Sequence, residues 1–230
     1  MLLQSASQAE RLALLTEDKP PYNMLENGKV VGLATRIVEE TMSRAGVTYD
    51  IAIYPWLRAY NMTLHKTDGC LFSTMKTPDR EPLFKWVGPF SADHMAIFTR
   101  PENPITVASI EDLKPFRFVG VKGDAYTEKL KDMGLRVDEI VLPYSDVDAV
   151  LVKKVREGKL DFVVLGRWTA KYMTHRTGAA DLREVYDLGG APGYIACNRA
   201  VSDATIARLQ QSLDSIIADG TRDRLEDTYR

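Results

Sequence analysis

The chain is poor in the residues that metal centres and redox chemistry require. It has two cysteines and three histidines in 230 residues, and His65, His94 and His175 stand far apart. No spacing of His, Cys or carboxylates matches a zinc or calcium pattern, so neither a metal nor a cofactor is expected. A phosphate loop is also lacking: Gly120-Val121-Lys122-Gly123 is a bare G-x-x-G after a strand pattern, short of a dinucleotide fingerprint. No excess of one charge is present. Thirty Lys and Arg oppose 32 Asp and Glu for a net charge of −2, without a dense basic cluster, which argues against a nucleic-acid partner. No apolar run is long enough to span a membrane. Met1 to Glu10 lacks a basic and an apolar leader region; read literally this is a cytoplasmic chain, and a mature chain with its leader removed looks the same.

What is present is ordinary globular material, 45% hydrophobic and 27% charged, with ample apolar residues for a core. Cys70 and Cys197 would make one bridge in a secreted chain. Both fall in apolar, strand-like runs where buried free thiols are common, and free thiols are the expectation. Strand and helix patterns alternate. Leu12 to Leu15 is a short apolar run, and Asn27-Gly28 marks a hairpin between Tyr22–Leu25 and Lys29–Val31. Gly32 precedes an amphipathic helix carrying Leu33, Ile37, Val38, Met42 and Ala45, closed by Gly46. A strand over Tyr49 to Tyr54, a helix opened by Pro55 and a strand after Asp68-Gly69 follow. In the second half, His94 to Thr99, Phe116 to Val121 and Glu139 to Leu142 read as strands, and Tyr126 to Met133 as a helix. Ser145 is placed to cap a helix that stops at Gly158. Leu160 to Leu165 reads as a buried parallel strand, followed by a helix from about Arg167 to Arg176. Gly189 to Gly193 reads as a flexible break, Tyr194 to Asn198 as a strand, and Ile206 to Ile217 as a final amphipathic helix. Such alternation predicts parallel sheets flanked by helices.

The most informative stretch is Ser73-Thr74-Met75-Lys76-Thr77-Pro78-Asp79-Arg80-Glu81 with Phe84-Lys85-Trp86-Val87-Gly88-Pro89-Phe90. An apolar strand ends in hydroxylated residues, Pro78 forces a turn, and Arg80 follows with the planar fork that grips a carboxylate in two places. The alternative for Arg80 is a surface pair with Asp79 or Glu81. This segment resembles the signature of the extracellular solute-binding proteins of amino-acid ABC transporters, family 3. Pro20-Pro21-Tyr22, Val119-Gly120-Val121 and Gly158-Lys159-Leu160-Asp161 extend the resemblance along nearly the whole chain. Pro55-Trp56-Leu57-Arg58-Ala59 makes it similar to one subgroup.

That resemblance implies an α/β, two-lobed periplasmic-binding-protein fold of type II with two hinge crossings. Residues 1–97 plus 196–230 would form one lobe and 98–195 the other, with the crossings near Ala92–Thr99 and Tyr194–Asn198 side by side. It implies that Arg80 clamps a ligand carboxylate in the cleft between lobes. It also exposes departures. The acidic residue that meets a ligand ammonium in relatives would fall on Gly166, Met75 replaces a common hydroxylated residue, and Gly123 is followed by Asp124. Ser73 keeps a hydroxyl near that edge. Asp124 is a candidate counter-charge or a helix cap, and Glu17 a candidate at a strand's end or a solvated loop carboxylate. Tyr22 and Trp56 are candidate aromatic walls or core residues. Arg167 is a candidate beside Gly166, with exposure at the surface the favoured reading, and Arg58 is a weaker one.

The implied function is non-catalytic capture of a small carboxylate-bearing, amino-acid-like solute. The protein would be a periplasmic monomer delivering to the membrane permease of an ABC transporter. Two alternatives use the same scaffold. One is an enzyme resembling cyclohexadienyl dehydratase, which needs a positioned general acid; the other is the ligand-sensing module of a receptor.

Overall fold

In the computed structural model, residues 11–141, 147–177 and 182–229 are described. The first strand, β1 (Arg11–Thr16), buries Leu12, Leu14, Leu15 and Thr16. A chain reversal leads to the hairpin of β2 (Met24–Glu26) and β3 (Lys29–Val31). Its turn takes the positive φ that Asn-Gly permits, 50° at Asn27 and 78° at Gly28. Gly32 follows with φ 126°, and a β-carbon there would lie 2.3 Å from the Tyr22 carbonyl oxygen. Only glycine fits this entry to α1 (Leu33–Ala45). Helix α1 sinks Leu33, Ile37, Val38 and Met42 into the core, each worth about 1.5–3 kcal/mol of transfer free energy. Gly46 ends it in the left-handed conformation. Then come β4 (Thr48–Ile53), α2 (Trp56–His65) behind Pro55, and β5 (Gly69–Thr74).

A 16-residue strand, β6 (Phe84–Thr99), carries the chain into the second half. There β7 (Arg117–Val121), α3 (Ala125–Asp132) and β8 (Arg136–Ile140) form a parallel pair with its helix. They are followed by α4 (Val147–Arg156), β9 (Val163–Gly166) and α5 (Arg167–Thr177). The equally long β10 (Arg183–Asn198) returns to the first half, which α6 (Asp203–Ala218) and α7 (Thr221–Asp227) complete. Six strands share one sheet in the order β4-β1-β5-β10-β6-β9. Strand β1 runs parallel to β4 and β5, whereas β10 is antiparallel to β5 and β6, and β6 to β9. The apolar clusters change over between Phe90 and Met95 on β6, and between Leu188 and Ile195 on β10.

Several expectations are corrected. Strand β9 is antiparallel to its neighbour β6 and spans only Val163–Gly166. Its unbroken apolar run reflects two covered faces: Val163 and Leu165 pack on the α4 side, and Val164 packs in the cluster of Phe118 and Phe162. Two covered faces do not fix strand direction. Gly189 to Gly193 lies inside β10, absorbed by register shifts between Asp187 and Gly189 and between Gly193 and Ile195. Pro192 is tolerated because β5 pairs with β10 only from Tyr194 onward. The two crossing strands run side by side, but Ala92–Thr99 opposes the stretch from Arg183 to Pro192, and Tyr194–Asn198 opposes the start of β6. Cys70 and Cys197 are joined in a disulfide rather than left as free thiols. They face each other across the β5–β10 ladder, where the sheet itself brings them together. The expected cap at Ser145 and strand end at Leu142 lie outside the described residues. Among the described residues, no helix is long and apolar enough to cross a membrane.

Candidate functional site

The carboxyl end of β1, the end of β5, the start of α2 and the β7–α3 turn converge on two adjoining cavities. The first is a pocket open to solvent, of about 580 Å³ including its mouth, lined by Lys19, Tyr22, Trp56, Ser73, Met75 and Arg80 from the first half. Ser91, Met95, Asp124, Ala125, Tyr126, Pro192 and Gly193 complete its wall. The second, of about 630 Å³, holds Glu17, Asp18, Asp124 and Asp148 against Val119, Val121, Leu130 and Val164. Lys19, Trp56, Met95, Asp124 and Tyr126 belong to both.

Arg80 follows the turn at Pro78 and is nearly enclosed, at 9% exposure. Its Nη1 donates to the Met75 carbonyl at 3.2 Å and its Nη2 to the Gly123 carbonyl at 2.8 Å. Its guanidinium lies 4.9 Å from the Trp56 ring and 5.7 Å from the Tyr60 ring, an arrangement that orients a desolvated fork. The expected alternative, a surface pair with Asp79 or Glu81, is not what forms: Glu81 turns to Lys76 at 2.7 Å. Burial draws its pKa down, partly offset by Asp124, Tyr60 and Glu17. Two of the five N–H donors of the fork are engaged by these carbonyls.

Trp56 donates through Nε1 to the same Gly123 carbonyl at 2.9 Å. Gly123 takes φ 75°, a left-handed conformation that favours glycine, with the end of the Leu57 side chain close by. Tyr22 is buried and lines the first cavity beside Trp56. Ser73 also lines it, at a φ of 60°, a conformation rare outside glycine. Its hydroxyl donates to Asn23 Oδ1 at 2.7 Å, while Asn23 Nδ2 donates to the Glu17 carbonyl at 3.2 Å. Ser73 thus ties β5 to the loop that presents Glu17, Lys19 and Tyr22.

Asp124 forms the helix cap. Its Oδ1 caps α3, accepting from the Tyr126 and Thr127 amides at 2.8 and 3.2 Å, and its side chain lines both cavities. Two other candidates are not brought to either cavity. Gly166 is buried opposite Met95 in the β6–β9 ladder. Arg167 forks onto Glu184 at 2.6 and 2.8 Å and reaches Asp187 at 3.2 Å, because Arg183–Asn198 passes beside the start of α5. Arg58 lies over the Tyr54 ring at 4.5 Å. Lys19, Asp148 and Tyr126 join the site without having been singled out. Lys19 immediately precedes Pro20-Pro21, between Glu17 and Tyr22, and that shared loop was the available signal.

The carboxylates shape one another. Burial, with Asp124 and Asp148 nearby, lifts Glu17 to about 7 against the pull of Lys19 and Arg80. In the unfolded chain Glu17 titrates near its ordinary value of 4.5, so the folded state holds the proton more tightly. The stability this gives is fully present below pH 4.5 and is lost as the pH rises from about 4.5 through about 7, by up to about 3 kcal/mol. A melting-temperature series from pH 5 to 8 is expected to fall more steeply for the wild type than for Glu17→Gln; parallel curves would contradict this.

Similar folds are known. An ancestral arginine-binding protein bound to arginine matches with a TM-score of 0.82 and 20% identity, over 96% of this chain and 98% of that one. A histidine kinase sensor domain with similarity to periplasmic binding proteins matches with a TM-score of 0.84 and 17% identity, over 95% of each chain. The ancestral amino acid-binding protein AncCDT-1, a precursor of cyclohexadienyl dehydratase, gives 0.80 and 17%, over 96% and 95%. At these identities the likeness speaks for the fold. No curated protein sequence matches. The family model of the bacterial extracellular solute-binding proteins, family 3, matches residues 12–230, so the chain belongs to that family.

Proposed function

We propose that the protein captures a small carboxylate-bearing, amino-acid-like solute in the first cavity and hands it to the membrane permease of an ABC transporter, without catalysis, as a periplasmic monomer. The observation that carries this reading is Arg80, an enclosed guanidinium aimed by two carbonyls and two aromatic rings. A desolvated fork of this kind favours a carboxylate strongly over water. Tyr22, Trp56 and Met75 supply apolar walls for the stem of such a solute, and Ser73 holds the loop that carries Tyr22. Asp124 and Glu17 are the carboxylates nearest to hand for an ammonium. A thermal-shift screen of amino acids, dipeptides, polyamines and organic acids tests the reading, which expects carboxylates to be the ligands that raise the melting temperature. A screen in which only carboxyl-free amines stabilise the fold would overturn it.

Capture would proceed by hinge closure. The lobes are taken to meet where the apolar clusters change over, near Ser91 on β6 and Gly193 on β10, paired across the ladder. Closure would bring the Gly123 carbonyl onto Arg80 and Trp56, and a ligand touching both lobes favours that state by its differential affinity for it. Small-angle scattering is expected to show a smaller radius of gyration at ligand saturation; an unchanged profile would indicate a protein that is closed throughout.

One observation favours a second reading. A carboxyl lifted to about 7 is suited to general-acid work, as a dehydratase would need. Turnover of prephenate or arogenate, lost in Glu17→Gln, would support it over capture.

A further inference from the structure

We propose that Lys19 is a specificity-determining residue of the cleft: together with Arg80 it forms a two-cation site that selects carboxylate solutes of net negative charge, such as dicarboxylic amino acids. This rests on the carboxylate-capture reading above.

The first cavity has three charged side chains in its wall, Arg80, Lys19 and Asp124. Asp124 directs one carboxylate oxygen to the first turn of α3, and the formal balance of the lining is one positive charge. The other carboxylates that act on Lys19, Glu17 and Asp148, line the second cavity and not the first. Lys19 lines both cavities, sharing the first with Arg80 and Asp124 and the second with Glu17, Asp18, Asp124 and Asp148. Those anions explain how a half-buried lysine stays charged. Burial alone draws its pKa down, but Glu17, Asp124, Asp148 and Tyr126 outweigh burial and raise it above the usual lysine value.

A guest with one carboxylate on Arg80 thus presents its other end to an ammonium that is cationic at any physiological pH. A second carboxylate there gains an attraction strengthened by the low dielectric of the enclosed site. A neutral amide gains less, and a cationic end meets like charge. The backbone loop makes this placement firm. Lys19 pairs with Asn23 through both backbone hydrogen bonds, at 2.7 and 3.1 Å, and Asn23 is in turn fixed by Ser73.

Isothermal titration of the full chain with L-glutamate, L-glutamine and L-arginine tests the proposal, after bound solute has been stripped by unfolding and refolding. Glutamate is expected to bind at least about tenfold more tightly than glutamine, and arginine the most weakly. Lys19→Met should erase the glutamate preference, and Lys19→Arg should retain most of it. Glutamine or arginine binding as tightly as glutamate to the wild type would overturn the proposal. So would a preference that survives in a folded Lys19→Met. If that variant does not fold, the wild-type ranking of the three probes decides. Binding by none of the three also removes the proposal; carboxylate capture itself falls only if no carboxylic acid of any size stabilises the protein.

Discussion

Arg80→Ala is expected to lower affinity for the captured carboxylate by about 30-fold to several thousand-fold, equivalent to about 2–5 kcal/mol. The loss comes from two sources. A charge-assisted, two-point contact disappears, and the guest's carboxylate is left in an enclosed site without its counter-charge. Arg80→Lys should restore only part of the affinity, since an ammonium cannot reproduce the fork or the guanidinium's approach to the Trp56 and Tyr60 rings. Stability should fall as well. The side chain is only 9% exposed and donates to the Met75 and Gly123 carbonyls, so alanine would leave both acceptors without that donor, at a cost of about 1–3 kcal/mol. Titration calorimetry and chemical unfolding on the same preparation separate the two effects. A variant that is less stable but binds as well as the wild type would assign Arg80 to the fold alone.

Removing the disulfide is expected to destabilise the protein by about 2–5 kcal/mol. Cys70 and Cys197 are 127 residues apart in sequence and fully buried in the first core. The loop they close therefore contains the whole second half of the molecule. Cross-linking a loop of that length removes much conformational freedom from the unfolded chain, which is the larger part of the effect in the chain-entropy account. The double variant Cys70→Ala/Cys197→Ala avoids burying an unsatisfied hydroxyl, and should show a lower urea midpoint than the wild type. Reductant should lower the wild-type midpoint and leave the variant unmoved. Equal midpoints for the two proteins would contradict the prediction.

Much of this fold was legible because local signals agreed with it. Asn27-Gly28, Gly32 and Gly46 each sit where a positive φ is required, and the apolar face of α1 faces the core as its spacing indicates. The misreadings lie where long-range pairing overrules local pattern. The glycine-rich run before Tyr194 looks like a break by composition, yet Arg183–Asn198 is continuous because β6 supplies a ladder partner along its length. The direction of β9 and the joining of Cys70 to Cys197 are likewise set by which strands the sheet places side by side, and no window of neighbouring residues contains that information.

The site was legible in its anchors and not in its charge balance. The turn at Pro78 and the type of side chain at Arg80 pointed to the cavity, and so did Tyr22 and Trp56. Glu17 and Asp124 carried chemistry that a loop position and a helix start made plausible. Lys19 did not stand out, since a lysine before two prolines reads as an exposed loop residue. It acquires meaning only when β1, α3 and α4 bring Glu17, Asp124 and Asp148 around it. Arg167 lies at the surface, as the favoured reading had it, and its partners there, Glu184 and Asp187, are 17 and 20 residues away and so out of reach of any local pattern.

The most direct measurement is titration calorimetry of the wild type with a stabilising carboxylic acid from the thermal-shift screen and, in parallel, with its methyl ester. Capture of a carboxylate by the enclosed Arg80 predicts saturable one-to-one binding of the free acid, and a loss of about 2 kcal/mol or more for the ester. An ester that binds as tightly as its acid would contradict the account, because the guanidinium would then have no anion to hold.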